Sequence, residues 1–186
     1  MEHAGEVWQN VNLMGERCGG INPDDAYDDK PKIFYGVAVM LYRFKDGAVE
    51  YLFQHRSRFL KGNPDKWDVS AGGHVNLDEP RLDAALRETR EEIGVVLERE
   101  KLELAAGYLR HKQDVFVELF FYDFTGQEDE FSFDDQEVEE VKWVRYDELD
   151  EFWPKFKDQV KYDEIFRYYL NEWNAKTLKK YENYES

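Results

Sequence analysis

An α/β fold in which helices cover both faces of a mixed β-sheet is the class that this 186-residue sequence predicts. Three observations predict it. Apolar residues recur at helical spacing through residues 80–93, runs rich in β-branched and aromatic residues flank that segment on both sides, and a second amphipathic helix closes the chain at 158–173. Strands, a helix, more strands and a terminal helix can bury their apolar faces together only as layers.

Composition narrows the class further. The length suits one domain with a sizeable core and a terminal extension. A net charge of -16 argues against a long nucleic-acid footprint, because phosphate backbones are held by clustered Lys and Arg. The single cysteine, Cys18, excludes an internal disulfide framework and points to the reducing cytoplasm. No apolar run reaches membrane-spanning length, and the first residues lack the apolar region of a signal peptide, so no membrane partner is expected.

Residues 1–31 read as an arm, punctuated by Gly19-Gly20, Asn22-Pro23-Asp24-Asp25 and Pro31, with one short ordered piece around Val7 to Leu13. Its roles are a lid over the site, a contact in a homodimer, or a surface segment tied down for stability. Ile33 to Phe44 and Val49 to His55 are strands, and Lys45-Asp46-Gly47 supplies the hairpin turn between them. The second strand opens into a basic cluster of His55, Arg56, Arg58, Lys61 and Lys66. Arg56 and Arg58 either grip a phosphate with their planar forks or pair with nearby surface acids. After the loop Lys61-Gly62-Asn63-Pro64, the run WDVSAGGHV leads to the next element, with Trp67 placed in the core.

That element is the helix from about Pro80 to Ile93. Leu82, Ala85, Leu86, Thr89 and Ile93 form its apolar stripe. Asp78 or Glu79 caps its start, Pro80 suits its first turn, and Gly94 stops it. Glu88, Glu91 and Glu92 share an arc of roughly 100°, turned away from the buried stripe. Three like charges this close repel unless a cation lies among them, and their oxygens suit Mg²⁺ or Mn²⁺; the alternative is a solvated acidic face. Arg87, four residues before Glu91, can fix it from the side.

Further strands follow at Leu102 to Arg110 and Asp114 to Thr125, the second nearly continuous in apolar residues and so buried on both faces. Gln127 to Gln136 is an acidic loop. The strand Glu137 to Val144 precedes a helix starting at Tyr146-Asp147-Glu148-Leu149, and Asp158 to Trp173 buries Val160, Ile165, Tyr168, Tyr169 and Trp173. Residues 176–186 read as a polar tail.

The spacing of Gly73, five residues, Glu79, seven residues, then Arg87-Glu88-Thr89-Arg90-Glu91-Glu92-Ile93-Gly94-Val95 resembles the Nudix box. Thr89 departs from it, standing where the family has an aliphatic residue. The resemblance implies an α/β/α sandwich over 32–175 with the box helix across a mixed sheet. It also implies a Mg²⁺-dependent pyrophosphohydrolase acting on a small-molecule diphosphate by metal-activated water. On that likeness Glu91 and Glu92 are the principal metal ligands, Glu88 is a ligand or the general base, and Arg87 orients Glu91. Glu79 is then a secondary ligand or a helix-start residue. Glu137 matches the family's loop carboxylate that can reach the metal or is a plain surface acid, with Glu139 and Glu140 weaker candidates. Gly73 and His74 join Arg56 and Arg58 as candidate substrate-binding residues, His74 being otherwise a structural hydrogen-bonding residue of a tight loop.

WDVSAGGHV is similar to the isopentenyl-diphosphate isomerase branch. That branch calls for a catalytic cysteine near this run, and Cys18 lies far off in the arm. Isomerisation is therefore disfavoured, and a non-catalytic nucleotide-sensing module is the other alternative. Phe34, Tyr35, Tyr42, Phe53 and Phe116 either stack on a base or belong to the core. The branch likeness leans towards small or isoprenoid-like diphosphates.

Overall fold

The arm carries two strands where the sequence suggests one ordered piece. β1 (Trp8–Val11) and β2 (Arg17–Ile21) pair antiparallel, and β1 reaches the main sheet through Asn10 opposite Phe34. The structure is a computed structural model, and it describes residues 6–23, 32–110, 115–133, 136–155 and 160–182. Asp24, Asp25, Pro31, Asp114 and Asp158 of the expected elements lie outside the described residues.

The sheet is built around β3 (Phe34–Lys45). Asp46 and Gly47, at φ 48° and 75°, turn it into β4 (Ala48–Arg56) by the left-handed pair that a two-residue hairpin requires. β5 (Trp67–Asp68) pairs with the end of β4, and β6 (Ala71–His74) pairs with the start of β3. After α1 (Arg81–Ile93), β7 (Glu103–Arg110) pairs with β8 (Val115–Asp123), and β8 lies parallel to β3. β9 (Val138–Arg145) borders β4 antiparallel. The sheet is therefore mixed, as expected.

Strand alternation sorts the core into two faces. Val37, Val39 and Leu41 of β3 and Phe120 and Tyr122 of β8 pack towards Ala84, Ala85 and Ile93 of α1. Ala38, Met40 and Tyr42, with Leu119 and Phe121, pack towards Leu149 and Phe152 of α2 (Leu149–Phe152) and Phe166 and Leu170 of α3 (Val160–Glu182). Helix, sheet and helix form three layers. Each buried Leu or Phe contributes about 1.5–3 kcal/mol, so these two faces dominate the fold's stability. Tyr35, Tyr42 and Phe53 are buried in them and Phe34 in a smaller cluster with Trp8 and Ile21, which assigns these aromatics to packing; Phe116 is half-buried against Tyr35.

Three expectations need correction. α1 begins without a side-chain cap: Pro80 takes that position, while the Glu79 carboxylate accepts from the backbone of Asn76 and turns to Arg87. Gly94 does end the helix at φ 75°. Residues 176–182, expected within a polar tail, continue α3 instead, because Lys180 and Tyr181 both reach Asp123 of β8 and Tyr181 stacks on Phe44. Among the described side chains of α3, Phe166, Leu170 and Thr177 are buried and Tyr169 and Trp173 half-buried, whereas Ile165 and Tyr168 are exposed; the Val160 side chain lies outside the described ones. Trp67 is half-buried against Phe152.

Candidate functional site

Two glycines of β6 set the site. Gly73 lies opposite Val37, and a β-carbon on it would run into the Glu88 carboxylate, within 2.6 Å of Oε2. Gly72 lies opposite Ala38, where a β-carbon would stand 2.6 Å from the Val37 carbonyl oxygen, and its N–H donates to Glu92 Oε2 at 2.8 Å. Gly73 lets the Glu88 carboxylate come this close to the strand, and Gly72 lets β6 itself come this close to β3.

Glu92 is only 3% exposed, which corrects the expectation that all three glutamates turn away from the buried side. α1 is rotated so that Ala84, Ala85, Thr89, Glu92 and Ile93 face inward and Leu82 and Leu86 are half-buried. The rotation is tolerated because Glu92 finds donors there, the Gly72 N–H and Gln54 Nε2 at 3.1 Å. The Glu88 side chain is 14% exposed and that of Glu91 45%, so the three carboxylates run from interior to surface.

Arg87 ties the loop to the helix. Its Nε and Nη2 donate to the two oxygens of Glu79 at 2.9 and 3.0 Å, and Nη2 also donates to the His74 carbonyl at 3.0 Å. Nη1 donates to Glu88 Oε1 at 2.8 Å and Glu91 Oε2 at 3.0 Å. The expected Arg87–Glu91 contact is present as one part of a larger hub. Both Glu79 oxygens are engaged by Arg87.

The electrostatics follow from this crowding. Burial pushes the Glu88 carboxyl well above its ordinary range; Arg87 opposes the rise, and Glu91 and Glu137 reinforce it. Burial raises Glu92 too, helped by Glu88 and Glu137 and opposed by the Gly72 N–H and Arg56. Burial alone would raise Glu79, but hydrogen bonds from Arg87 and the Asn76 N–H outweigh it and hold the carboxyl low. Glu137 thus lies within electrostatic reach of both inner carboxylates, and its carbonyl accepts from the Ser57 N–H at 2.7 Å.

An oxygen-only donor set of this kind suits Mg²⁺ or Mn²⁺. Among the described residues no three acidic, His or Cys side chains already stand in ligating geometry. Arg87 Nη1 holds one oxygen each of Glu88 and Glu91.

The two arginines of the basic cluster separate. Arg58 is committed to Glu139 by a two-point pair, Nε to Oε1 at 2.9 Å and Nη2 to Oε2 at 3.0 Å, and this holds the Glu139 carboxyl low, at about 2. Arg56 donates to the Gly62 carbonyl at 3.2 Å and lies 3.8 Å from Asp68, while its buried Nε has no hydrogen-bond partner among the described residues. Its charge also opposes the rise of the Glu92 carboxyl. The His74 ring stacks on Trp8 at 3.7 Å, and its carbonyl serves Arg87. Cys18 is exposed on β2, its thiol donating to the Glu16 carbonyl.

Sequence reading missed Gln54 and the arm residues Gln9 and Arg17. A polar residue inside the apolar run of β4 is the one signal for Gln54. Arg17 Nη2 donates to the Glu79 carbonyl at 2.5 Å, and Gln9 Oε1 accepts from the Asp78 N–H at 3.2 Å.

A model of the NUDIX domain matches residues 32–169. Nudix hydrolase 3 of Arabidopsis thaliana is 28% identical over 165 residues, 82% of this chain but 21% of that protein, so the chain spans about a fifth of this relative. An isopentenyl-diphosphate Delta-isomerase of Aliivibrio fischeri is 26% identical over 144 residues, 72% of this chain and 76% of its own. The crystal structure of DR0079 from Deinococcus radiodurans matches with a TM-score of 0.67 at 22% identity, over 87% of this chain and 98% of that one, a likeness of fold. With 32–169 matched to the domain, Glu88 and Glu91 gathered about Arg87 and Glu92 held on Gly72, the chain belongs to the Nudix family.

Proposed function

We propose that this chain hydrolyses a diphosphate bond in a small molecule, nucleoside-diphosphate-linked or a related small diphosphate, with Mg²⁺ or Mn²⁺ as cofactor. The observation that carries the reading is the graded carboxylate set: Glu92 buried on the Gly72 N–H, and Glu88, nearly buried, and Glu91, exposed, braced by one arginine. Glu88, Glu91 and Glu92, with Glu137, are the residues that would hold the metal. Bound there, it supplies charge neutralisation of the diphosphate and a water of lowered pKa. Arg87 keeps the carboxylates from relaxing apart, and Gly72 fixes one oxygen of Glu92. Arg56 is the better phosphate ligand of the two arginines, because its Nε is unsatisfied whereas Arg58 is held by Glu139. A free, exposed thiol at Cys18 suits the reducing cytoplasm.

The isomerase reading needs a thiol beside the carboxylates. Cys18, exposed on β2, does not supply it.

The test is a release assay over ADP-ribose, nucleotide sugars, diadenosine polyphosphates, NADH, nucleoside triphosphates and isopentenyl diphosphate, each with Mg²⁺ and with EDTA. Metal-dependent cleavage of one class is expected. Isomerised isopentenyl diphosphate, or binding without turnover of any compound, would overturn the hydrolase reading.

A further inference from the structure

The hairpin β1–β2 precedes the segment matched to the family, yet it is bonded to the loop that carries the chain from Gly73 into α1. β1 runs antiparallel along residues 75–77: the Gln9 N–H donates to the Val75 carbonyl at 2.8 Å, and the Leu77 N–H to the Val7 carbonyl at 2.7 Å. Trp8 stacks on His74. Gln9 is 1% exposed; its Oε1 accepts from the Asp78 N–H, and its Nε2 donates to the Gly19 and Asn10 carbonyls. Arg17, from β2, closes the hairpin over the loop by donating to the Glu79 carbonyl and, at 3.4 Å, to Gln9 Oε1.

The loop so held is the part that holds Arg87. The His74 carbonyl and both oxygens of Glu79 are acceptors for Arg87, and Arg87 in turn donates to Glu88 and Glu91. We infer that the arm is a positioning brace for the catalytic helix, in which Gln9 and Arg17 fix the 74–79 loop and act on the site carboxylates through Glu79 and Arg87. The inference rests on the hydrolase reading for its catalytic consequence but not for its structural one. A brace has a clear reason to exist here. Glu88 and Glu91, which repel one another, are held by one guanidinium, and a guanidinium anchored on a loop is only as fixed as that loop.

Arg17 is an exposed residue, so Arg17→Ala tests the brace without opening the core. On the substrate that the release assay identifies, Arg17→Ala should lower kcat about tenfold and leave KM within about twofold, since the loss is in alignment rather than grip. Arg17→Lys, which keeps a donor for the Glu79 carbonyl, should restore most of the rate. In an Arg87→Ala background, Arg17→Ala should cost less than about twofold more, because the guanidinium it acts through is gone. An independent loss of the same size in that background would overturn the proposal. A readout free of catalysis is the Arg87 Nε–H resonance of the ¹⁵N-labelled full chain. Its hydrogen exchange should quicken at least about tenfold in Arg17→Ala, and an unchanged rate would overturn the brace. If the wild-type chain cleaves nothing, that failure belongs to the hydrolase reading, and the exchange measurement still decides the brace.

Discussion

Arg87 meets Glu79 in a two-point pair, Nε to Oε1 at 2.9 Å and Nη2 to Oε2 at 3.0 Å, which leaves Nη1 to span Glu88 and Glu91. One planar group thus fixes three carboxylates, a task for a rigid fork and not for a point charge. Arg87→Lys keeps the charge and loses the fork. Steady-state kinetics should show kcat lower by about a hundredfold, on the order of 3 kcal/mol of barrier. Turnover equal to wild type would remove Arg87 from the machinery.

Glu92→Gln separates activity from stability. The amide oxygen can still accept from the Gly72 N–H, but the carboxyl whose ionised form burial, Glu88 and Glu137 all disfavour is gone. We expect kcat to fall a hundredfold or more, again about 3 kcal/mol, while the metal-free unfolding temperature rises. Millimolar Mg²⁺ should raise the melting temperature of the wild-type chain and leave that of Glu92→Gln nearly unchanged. A variant that melts lower without metal would show that the carboxylate repulsion is not what the fold has to bear.

What the sequence discloses here is what is local. Asp46-Gly47 makes its turn and Gly94 stops its helix by their own backbone preferences, and the alternation in β3 sorts residues onto two faces whatever covers them. Helical spacing fixes the angles among Glu88, Glu91 and Glu92 but not their rotation against the sheet. The burial of Glu92 depends on donors from Gly72 and Gln54, which come from strands distant in sequence. The helical end of α3 depends likewise on Asp123, 57 residues before Lys180, and the arm's role on Gln9 meeting Val75. Such pairings leave no periodicity to read.

The two glycines of β6 should respond differently to alanine. At Gly73 the new methyl meets the far end of the Glu88 side chain, which can swing aside at the expense of its hold on Arg87. At Gly72 it meets the Val37 carbonyl, which is backbone of the central strand and cannot. Gly73→Ala should therefore melt within a few degrees of wild type yet lose at least about tenfold in kcat. Gly72→Ala should lose stability by about 1–3 kcal/mol, as overpacking against a strand does. Equal melting of the two variants would contradict the placement of Glu88 over Gly73.

Asp123 offers a test of the fold that leaves the site alone. Burial would raise its carboxyl, but hydrogen bonds from Lys180 and Thr125 outweigh it and lower the group below the ordinary aspartate value. A carboxyl lowered in the folded state adds stability that is complete above its unfolded pKa of about 3.9 and is lost as pH falls through the lower folded value. Lys180, raised chiefly by its hydrogen bond to Asp123, loses its share only as pH climbs past the ordinary lysine range. Denaturant unfolding of wild type and Asp123→Asn should differ by about 1 kcal/mol between pH 5 and 8. The gap should shrink as pH drops below about 4, where the wild-type carboxyl takes up its proton. A gap that stays constant to the acid limit would mean that the end of α3 is held by the Tyr181–Phe44 stack and not by the charge on Asp123.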